Sequence, residues 1–171
     1  MEKILYESHF DTPIGRMISI FDDQFLYLLE FEERKNLSAE IKRLKCQILP
    51  GQTAVSKQIE EEIRAYFAGE KAVFTTALFI QGTDFQKAVW TAVSEVKSGE
   101  TATYQSIAHK IGNAKASLAV GAANGVNQFA IVIPCHRLLR SNGALAGYAG
   151  GLWRKAWLLE HEQKMKNNTK N

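Results

Sequence analysis

Residues 131–139, with the sequence IVIPCHRLL, place a thiol, an imidazole and a guanidinium side by side at the end of an apolar run. The thiolate is the reactive form of cysteine, and it is available near pH 7 only where neighbouring groups lower the cysteine pKa. A histidine that accepts the proton does this, and a carboxylate that orients the histidine completes the relay. The candidates for such a relay are Cys135, His136, Arg137 and, in the C-terminal segment, Glu160 or Glu162.

This cysteine–histidine pair is compatible with more than one role. Adjacent side chains of an extended segment point to opposite sides, so Cys135 and His136 need a bend or a bridging water to act together. A buried structural cysteine beside a histidine is common. A cysteine hydrolase is also possible, although those families place the histidine far away in sequence. The other cysteine, Cys46, is expected to be an ordinary residue of an amphipathic helix.

The first half of the chain predicts a small α/β domain over residues 1–81. Apolar segments separated by turn residues predict three strands of an antiparallel sheet, at residues 4–10, 15–22 and 24–31. Apolar residues at helical spacing predict helices at 37–49, capped by Ser38, and at 55–70, ended by Gly69. Residues 73–80 are expected to form a strand or an extended connector.

The second half predicts a mainly helical domain over residues 82–163, which makes the whole chain α+β. A helix is expected at 84–96 with Asp84 at its cap, and a last helix at 152–162 follows a Gly-rich loop at 142–151. Helices at about 104–110 and 114–124 flank the turn IGNAK, which is the pattern of a helix-turn-helix; an ordinary helical hairpin gives the same pattern. Residues 164–171 are expected to be a disordered tail.

The charge of the chain is unevenly distributed. Residues 82–171 hold 11 lysines and arginines against 5 acidic residues, a balance of +6, whereas residues 1–81 hold 10 against 13, a balance of −3. A basic half beside an acidic half favours contact between the C-terminal part and a polyanion, although a solvated basic surface is an equally good explanation.

Composition excludes several classes of protein. The sequence contains no apolar run of about 18 residues that would indicate a membrane span. The first ten residues do not have the basic and apolar regions of a secretory signal. The two cysteines are far apart and lack the spacing of zinc ligands, so we expect no metal site, and a reducing, cytoplasmic location fits best.

The whole constellation resembles one family, the methylated-DNA–protein-cysteine S-methyltransferases, also called O6-alkylguanine-DNA alkyltransferases. The motif IPCHR is preceded by ANGVN and followed by GYAGG and RKAWLLEHE. The resemblance is dense from FQKAVW at 85–90 to LLEHE at 158–162, and looser over the first 80 residues, where DTPIG at 11–15 still fits. It implies a ribonuclease H-like N-terminal domain and a C-terminal domain that carries the reaction without a cofactor.

The resemblance also implies roles for individual residues. Cys135 corresponds to the acceptor of the alkyl group, His136 to the base that acts on the thiol through a water, and Glu162 to the residue that holds this histidine. Asn127 ties the active-site turn to the helix-turn-helix, and Tyr104 protonates N3 of the leaving guanine. The residues implied around the substrate are Tyr148 as a wall, the backbone at Leu138 and Ala149 as readers of the guanine edge, and Lys155 and Arg137 in the buried network around the site.

The partner implied is double-stranded DNA that contains O6-alkylguanine, bound by a monomer. Reaching an atom inside the base stack requires the nucleotide to be flipped out. The second helix of the helix-turn-helix suits the minor groove because its small residues allow close approach. The DNA-binding residues we expect are Leu118, Lys115, Ala116, Ala119, Gly121, Ala122 and Arg137, with Lys87, Lys110 and Arg140 as further phosphate contacts.

Two positions depart from the pattern of the family. Members usually carry an arginine where this chain has Leu118, and that arginine fills the stack that the flipped base vacates. A proline often follows the active-site asparagine, and here Gln128 stands in its place. Apolar wedges between base steps are workable, so Leu118 remains the expected wedge.

Two other functions are compatible with a helix-turn-helix of this kind. A non-catalytic protein that binds alkyl lesions would lack the acceptor cysteine, which this chain has. A transcription regulator would need a dimer interface and polar side chains that read bases, and residues 114–124 offer few.

Overall fold

The computed structural model describes residues 2–70 and 73–169, and the chain divides into two compact units, 1–80 and 81–171. Each unit is built around its own secondary structure. Within the described residues, no helix has the length and apolar character needed to cross a membrane.

The N-terminal unit contains a sheet with helices. Its strands are β1 (Ile4–Thr12), β2 (Gly15–Phe21), β3 (Leu26–Phe31) and β4 (Gln47–Pro50), in the order β3-β2-β1-β4. The first three strands are antiparallel neighbours, and β4 pairs with β1 in parallel. The α+β class is therefore confirmed, whereas the prediction of a three-stranded sheet is wrong, because the fourth strand lies inside the segment that we expected to be helical.

The predicted helix at 37–49 is short and is followed by this strand. Helix α1 covers Leu37–Arg43, and Lys45 has a left-handed backbone with φ of 52°, which ends the helix. Its N-cap is Asn36 with φ of 68°, a conformation that asparagine tolerates well, and not Ser38, which lies within the helix. Cys46 is half-buried and packs against the core cluster around Leu5 and Ile20.

Helix α2 (Ala54–Phe67) confirms the second predicted helix of this unit. Thr53 caps it through a capping box with Ser56, and Ile59, Ile63 and Tyr66 are buried on one face. Residues 73–80 form the extended connector that follows α2. The carboxylate of Glu62, in α2, accepts hydrogen bonds from the backbone amides of Thr75 and Thr76, and a β-bridge joins Leu78 to Leu26 of β3.

The C-terminal unit is mainly helical, as predicted. It consists of α3 (Asp84–Ser94), β5 (Ala102–Thr103), α4 (Tyr104–Lys110), α5 (Ser117–Gly125), a 3-10 turn (Cys135–Arg137), β6 (Leu138–Leu139) and α6 (Leu152–Thr169). Helix α3 is capped by Thr83 in a capping box with Gln86, one residue before the predicted cap at Asp84. The strands β5 and β6 form a two-stranded parallel sheet.

Helices α4 and α5 pack against each other and against α3, so they form a helix-turn-helix with a third supporting helix. The indole of Trp90 in α3 donates a hydrogen bond to the carbonyl of Ala123 in α5, at 2.9 Å. Helix α5 begins at Ser117, three residues after the predicted start. The face of α5 that remains outside this packing carries Leu118, whose side chain is 90% exposed.

The expected disordered tail is wrong for residues 164–169. Helix α6 continues to Thr169, because Met165 is buried and the side chain of Lys166 packs closely against Gly99. Residues 170–171 of the expected tail lie outside the described residues. Further back in this helix, Lys155 and Glu162 are almost completely buried, so α6 brings two charged side chains into the interior of the unit.

Candidate active site

Tight turns between Phe129 and Arg137 bend the segment that carries the thiol and the imidazole. Ile131 has a left-handed backbone with φ of 72°, and successive short hydrogen bonds run from Ile133 to Phe129 and from Cys135 to Ile133, at 3.0 and 2.7 Å. Pro134 precedes the 3-10 turn that starts at Cys135. The segment is thus bent at Cys135. A bend is one of the two ways in which adjacent residues such as Cys135 and His136 can act together.

Two asparagines, one in the last turn of α5 and one just after it, hold this turn. The side chain of Asn127 donates to the carbonyl of Ile133 at 2.9 Å and accepts from the amide of Phe129 at 2.9 Å. The side chain of Asn124 donates to the carbonyl of Cys135 at 3.1 Å. The sequence predicted Asn127 in this place but missed Asn124. Asn124 lies in the same ANGVN motif as Asn127, so the motif already contained both residues.

A buried ion network lies next to the cysteine. His136 Nε2 is 2.8 Å from Glu162 Oε2, and Arg137 donates through Nε and Nη2 to the two oxygens of the same carboxylate, each at 2.8 Å. Arg137 also donates to the carbonyl of Val96 at 2.6 Å. The geometry selects Glu162 over Glu160, which is exposed. Arg137 was also predicted to contact DNA, and this is wrong because its guanidinium is buried against Glu162.

Electrostatics fix the proton positions in this network. Burial acts to raise the pKa of Glu162, but the hydrogen bonds from Arg137 and His136 outweigh it and hold the pKa well below its usual range. Burial lowers the pKa of His136 despite the attraction of Glu162. The imidazole is therefore neutral at pH 7 and donates from Nε2 to Glu162, which leaves Nδ1 as an acceptor. Among the described residues, Nδ1 has no hydrogen-bond partner.

A second buried group comes from α6 and meets Tyr104 of α4. Lys155 Nζ donates to the carbonyl of Ala146 at 2.7 Å and lies 3.4 Å from the hydroxyl of Tyr104, which donates to the same carbonyl at 2.8 Å. Burial lowers the pKa of Lys155 to about 8, although the charge of Cys135 opposes this. Burial and Cys135 both raise the pKa of Tyr104, so its hydroxyl keeps its proton near neutral pH.

A cleft of about 710 Å³ opens between the helix-turn-helix and the Gly-rich loop. It is lined by Tyr104, Gln105, Ser117, Leu118, Gly121, Gly125, Arg140, Ser141, Ala146, Gly147, Tyr148 and Ala149. Tyr148 also meets the ring of His136 edge to face, with centroids 6.5 Å apart, so the cleft lies against the cysteine–histidine turn.

The remaining predicted residues fall into two groups. Leu138 is fully buried, pairs with Ala102 in the short sheet and donates its N–H to the carbonyl of Cys135, so its side chain is part of the core. Around α5 the expected DNA-binding residues are at the surface: Lys115, Leu118, Ala119 and Ala122 are exposed, and Ala116 and Gly121 are half-buried. Within residues 2–70 and 73–169, no cluster of His, Cys, Asp and Glu side chains could hold a metal ion.

A helix-turn-helix beside a cleft, with a cysteine–histidine turn next to the cleft wall, indicates the class of DNA-binding proteins that use a cysteine nucleophile. Known proteins give the particular family. The family model described as the DNA-binding domain of 6-O-methylguanine DNA methyltransferase matches residues 84–164. The methylated-DNA–protein-cysteine methyltransferase of Methanosarcina acetivorans is 42% identical over 158 residues, which cover 92% of this chain and 98% of that protein.

Further relatives agree. The methylated-DNA–protein-cysteine methyltransferase of Salmonella typhimurium is 38% identical over 164 residues, covering 92% of this chain and 95% of its own. The crystal structure of the O6-methylguanine methyltransferase of Mycobacterium tuberculosis matches with a TM-score of 0.82 at 37% identity, covering 94% of each chain, and a structure of the M. tuberculosis protein in complex with DNA also has a TM-score of 0.82. The chain belongs to the methylated-DNA–protein-cysteine methyltransferase family, which repairs DNA by methyl transfer.

Proposed function

We propose that this chain removes the methyl group from O6-methylguanine in double-stranded DNA and keeps it on Cys135, so that each molecule acts once. The observation that carries the proposal is the buried pair of His136 and Glu162 beside the bent Cys135 turn. This pair leaves His136 Nδ1 as the one ring nitrogen able to accept a proton. Residues 82–163 would carry both the reactive cysteine and the DNA-binding surface. That the protein is a cytoplasmic monomer remains a prediction.

The proposed reaction is a direct displacement. The proton of the Cys135 thiol passes through a water to His136 Nδ1, and the sulfur attacks the methyl carbon. The bond between the methyl carbon and O6 breaks, and its electron pair goes to the guanine ring. Tyr104 donates a proton to N3 of the leaving guanine, which limits the charge that builds up on the ring, and Lys155 is placed to return a proton to Tyr104. The thioether product is stable, which accounts for the single use.

Access to the methyl group requires the nucleotide to leave the stack. The small residues on the outer face of α5 would allow the helix to approach the minor groove closely, with Lys115 at a phosphate and Leu118 inserted as the wedge. The flipped guanine would occupy the cleft against Tyr148, with the backbone near Ala149 and Leu138 at its edge. Flipping costs a few kcal/mol, which the wedge and the contacts of the cleft must offset.

The stoichiometry of the reaction tests this function. Incubation with an excess of methylated duplex should add one methyl group to each protein molecule and no more, as read by intact mass spectrometry. The same number of lesions should disappear from the DNA. Unchanged protein mass with the lesions intact would indicate a non-catalytic lesion binder, and unchanged mass with many lesions removed would indicate a turnover enzyme.

Leu118 provides a prediction about flipping. Leu118→Arg should speed methyl transfer on duplex DNA, because an arginine adds hydrogen bonds to the orphaned base, and Leu118→Ala should slow it because the wedge is lost. Both effects should be small on single-stranded DNA and on free O6-methylguanine, which need little or no unstacking. The measurement is the single-turnover rate on the three substrates.

A matched control for this series is Val73→Ala, which truncates another well-exposed apolar side chain in the N-terminal unit. It should leave all three rates unchanged. Equal duplex rates for the wild type and Leu118→Ala would mean that Leu118 is not the wedge, and the proposed placement of α5 would have to be revised.

A further inference from the structure

The two walls of the cleft differ in charge. The helical wall carries polar or apolar residues only: Tyr104, Gln105, Ser117, Leu118, Gly121 and Gly125. The loop wall runs from Arg140 to Ala149, and Arg140 is the single charged residue among the twelve that line the cleft. O6-Methylguanine itself is an uncharged base, so recognition of the base does not explain a guanidinium in this position.

The backbone of Arg140 is held in a tight turn. Its N–H donates to the carbonyl of Ala144 at 3.1 Å, and its carbonyl accepts from the N–H of Gly143 at 2.8 Å. Gly143 has φ of 82°, and the side chain of Asn142 accepts from the amide of Ala144 at 3.0 Å. The turn therefore fixes the backbone position of Arg140. The side chain of Arg140 is exposed and is accessible to a ligand.

The charge of Arg140 is not neutralised within the described part of the chain. Its guanidinium forms no ion pair or side-chain hydrogen bond there, whereas Arg137 is bound by Glu162 and Lys110 forms an ion pair with Glu95. Burial and the charge of Cys135 raise the pKa of Tyr104, and Arg140 opposes this rise, so its field extends to the reacting side of the cleft. An unpaired guanidinium among lining residues that otherwise carry no charge is suited to an anion.

We propose that Arg140 binds the backbone phosphate of the flipped nucleotide and so stabilises the extrahelical state from the wall opposite α5. The proposal rests on the proposed function, because the anion that accompanies a flipped guanine into the cleft is its own phosphate. It also accounts for how the chain works with Leu118 as its wedge. Leu118 fills the stack by apolar contact, and Arg140 supplies the cationic contact that a leucine cannot make.

The test combines a protein variant with a neutral phosphate analogue. Arg140→Ala should slow single-turnover methyl transfer on duplex DNA by about tenfold, since hydrogen bonds to charged groups are worth more than neutral ones. The rate on free O6-methylguanine base should change by less than about twofold. Two further duplexes each carry an uncharged methylphosphonate, one on the 5′ side and one on the 3′ side of the lesion.

The methylphosphonate duplexes identify the partner of Arg140. One of them should slow the wild type as much as Arg140→Ala does, and the variant should lose no more on that duplex, because both changes remove the same contact. Arg140→Lys keeps the charge but not the planar fork, and should recover part of the duplex rate. Lys97→Ala, at an exposed lysine of the same unit that is given no place on the DNA, is the matched control, and it should leave the full methylphosphonate effect in place.

Three results would overturn this role for Arg140. The first is that Arg140→Ala and each of the two methylphosphonates reduce the transfer rate additively, and the second is that Arg140→Ala slows transfer from the free base as much as from the duplex. The third is that Arg140→Ala leaves the duplex rate unchanged. Failure of the proposed function is seen separately, as wild-type protein that gains no methyl group on Cys135 from any of these substrates.

Discussion

Cys135→Ala is expected to transfer no methyl group at all and to bind methylated duplex DNA with nearly the affinity of the wild type. The thiol is the only acceptor that the proposed reaction has, so its removal leaves no nucleophile. Cys135 itself is buried, with 8% of its surface exposed, and its carbonyl stays bound to Asn124 in the variant, so the turn and the DNA-binding surface should be retained. The measurements are loss of O6-methylguanine from the duplex and a binding titration at fixed salt.

Cys46→Ala is the matched control for this prediction. Cys46 is half-buried on the core of the N-terminal unit, where its thiol donates to the carbonyl of Leu44. Its substitution should leave methyl transfer unchanged. Residual transfer in Cys135→Ala that disappears only when Cys46 is also replaced would show that the acceptor has been assigned to the wrong cysteine.

Glu162→Ala is expected to damage both stability and rate. The variant leaves Arg137 buried without its carboxylate, and removal of one partner from a buried ion pair typically costs about 3–5 kcal/mol in the free energy of unfolding. His136 loses the acceptor that fixes Nε2 as the donor, so Nδ1 is no longer held as the base. The rate of methyl transfer should fall by about a hundredfold, in the range that general bases contribute.

Two variants separate the role of Glu162 in the reaction from its role in folding. Glu162→Gln keeps the shape and one acceptor oxygen, so it should recover stability more than rate. Glu160→Ala removes an exposed carboxylate from the same helix, one that forms an ion pair with Lys164, and should change stability by no more than about 0.5 kcal/mol. Urea unfolding and single-turnover kinetics give the two readouts. A Glu162→Ala protein with normal kinetics would mean that this carboxylate has no part in the reaction.

The regular elements of the fold were predictable where local pattern decides structure. The first three strands and helices α2 and α4 follow from apolar periodicity and turn residues, and their bounds differ from the prediction by few residues. Residues 44–49 were predicted wrongly, because a short apolar run after a helix does not distinguish continued helix from a strand. Gln47–Pro50 form a strand because they pair with β1, whose residues lie more than 40 positions away in sequence.

The candidate site was predictable as a set of residues but not as a geometry. The motif around Cys135 and the resemblance to a known family identified His136, Glu162 and Asn127. Their arrangement depends on contacts across the unit: Glu162 reaches His136 from 26 residues away, and Lys155 reaches Tyr104 from 51. For Arg137 the resemblance implied a place in the buried network around the site, whereas the basic charge of this half of the chain also suggested a phosphate contact, and its buried guanidinium agrees with the first alone.

Peptide mapping of the reacted wild-type protein tests the central claim most directly. The protein is incubated with methylated duplex DNA, digested, and fragmented in a mass spectrometer to locate the added methyl group. The account predicts one methyl group on the sulfur of Cys135 in the peptide that ends at Arg137, and none on Cys46. A methyl group on any other residue, or a protein that removes the lesion without gaining one, would contradict it.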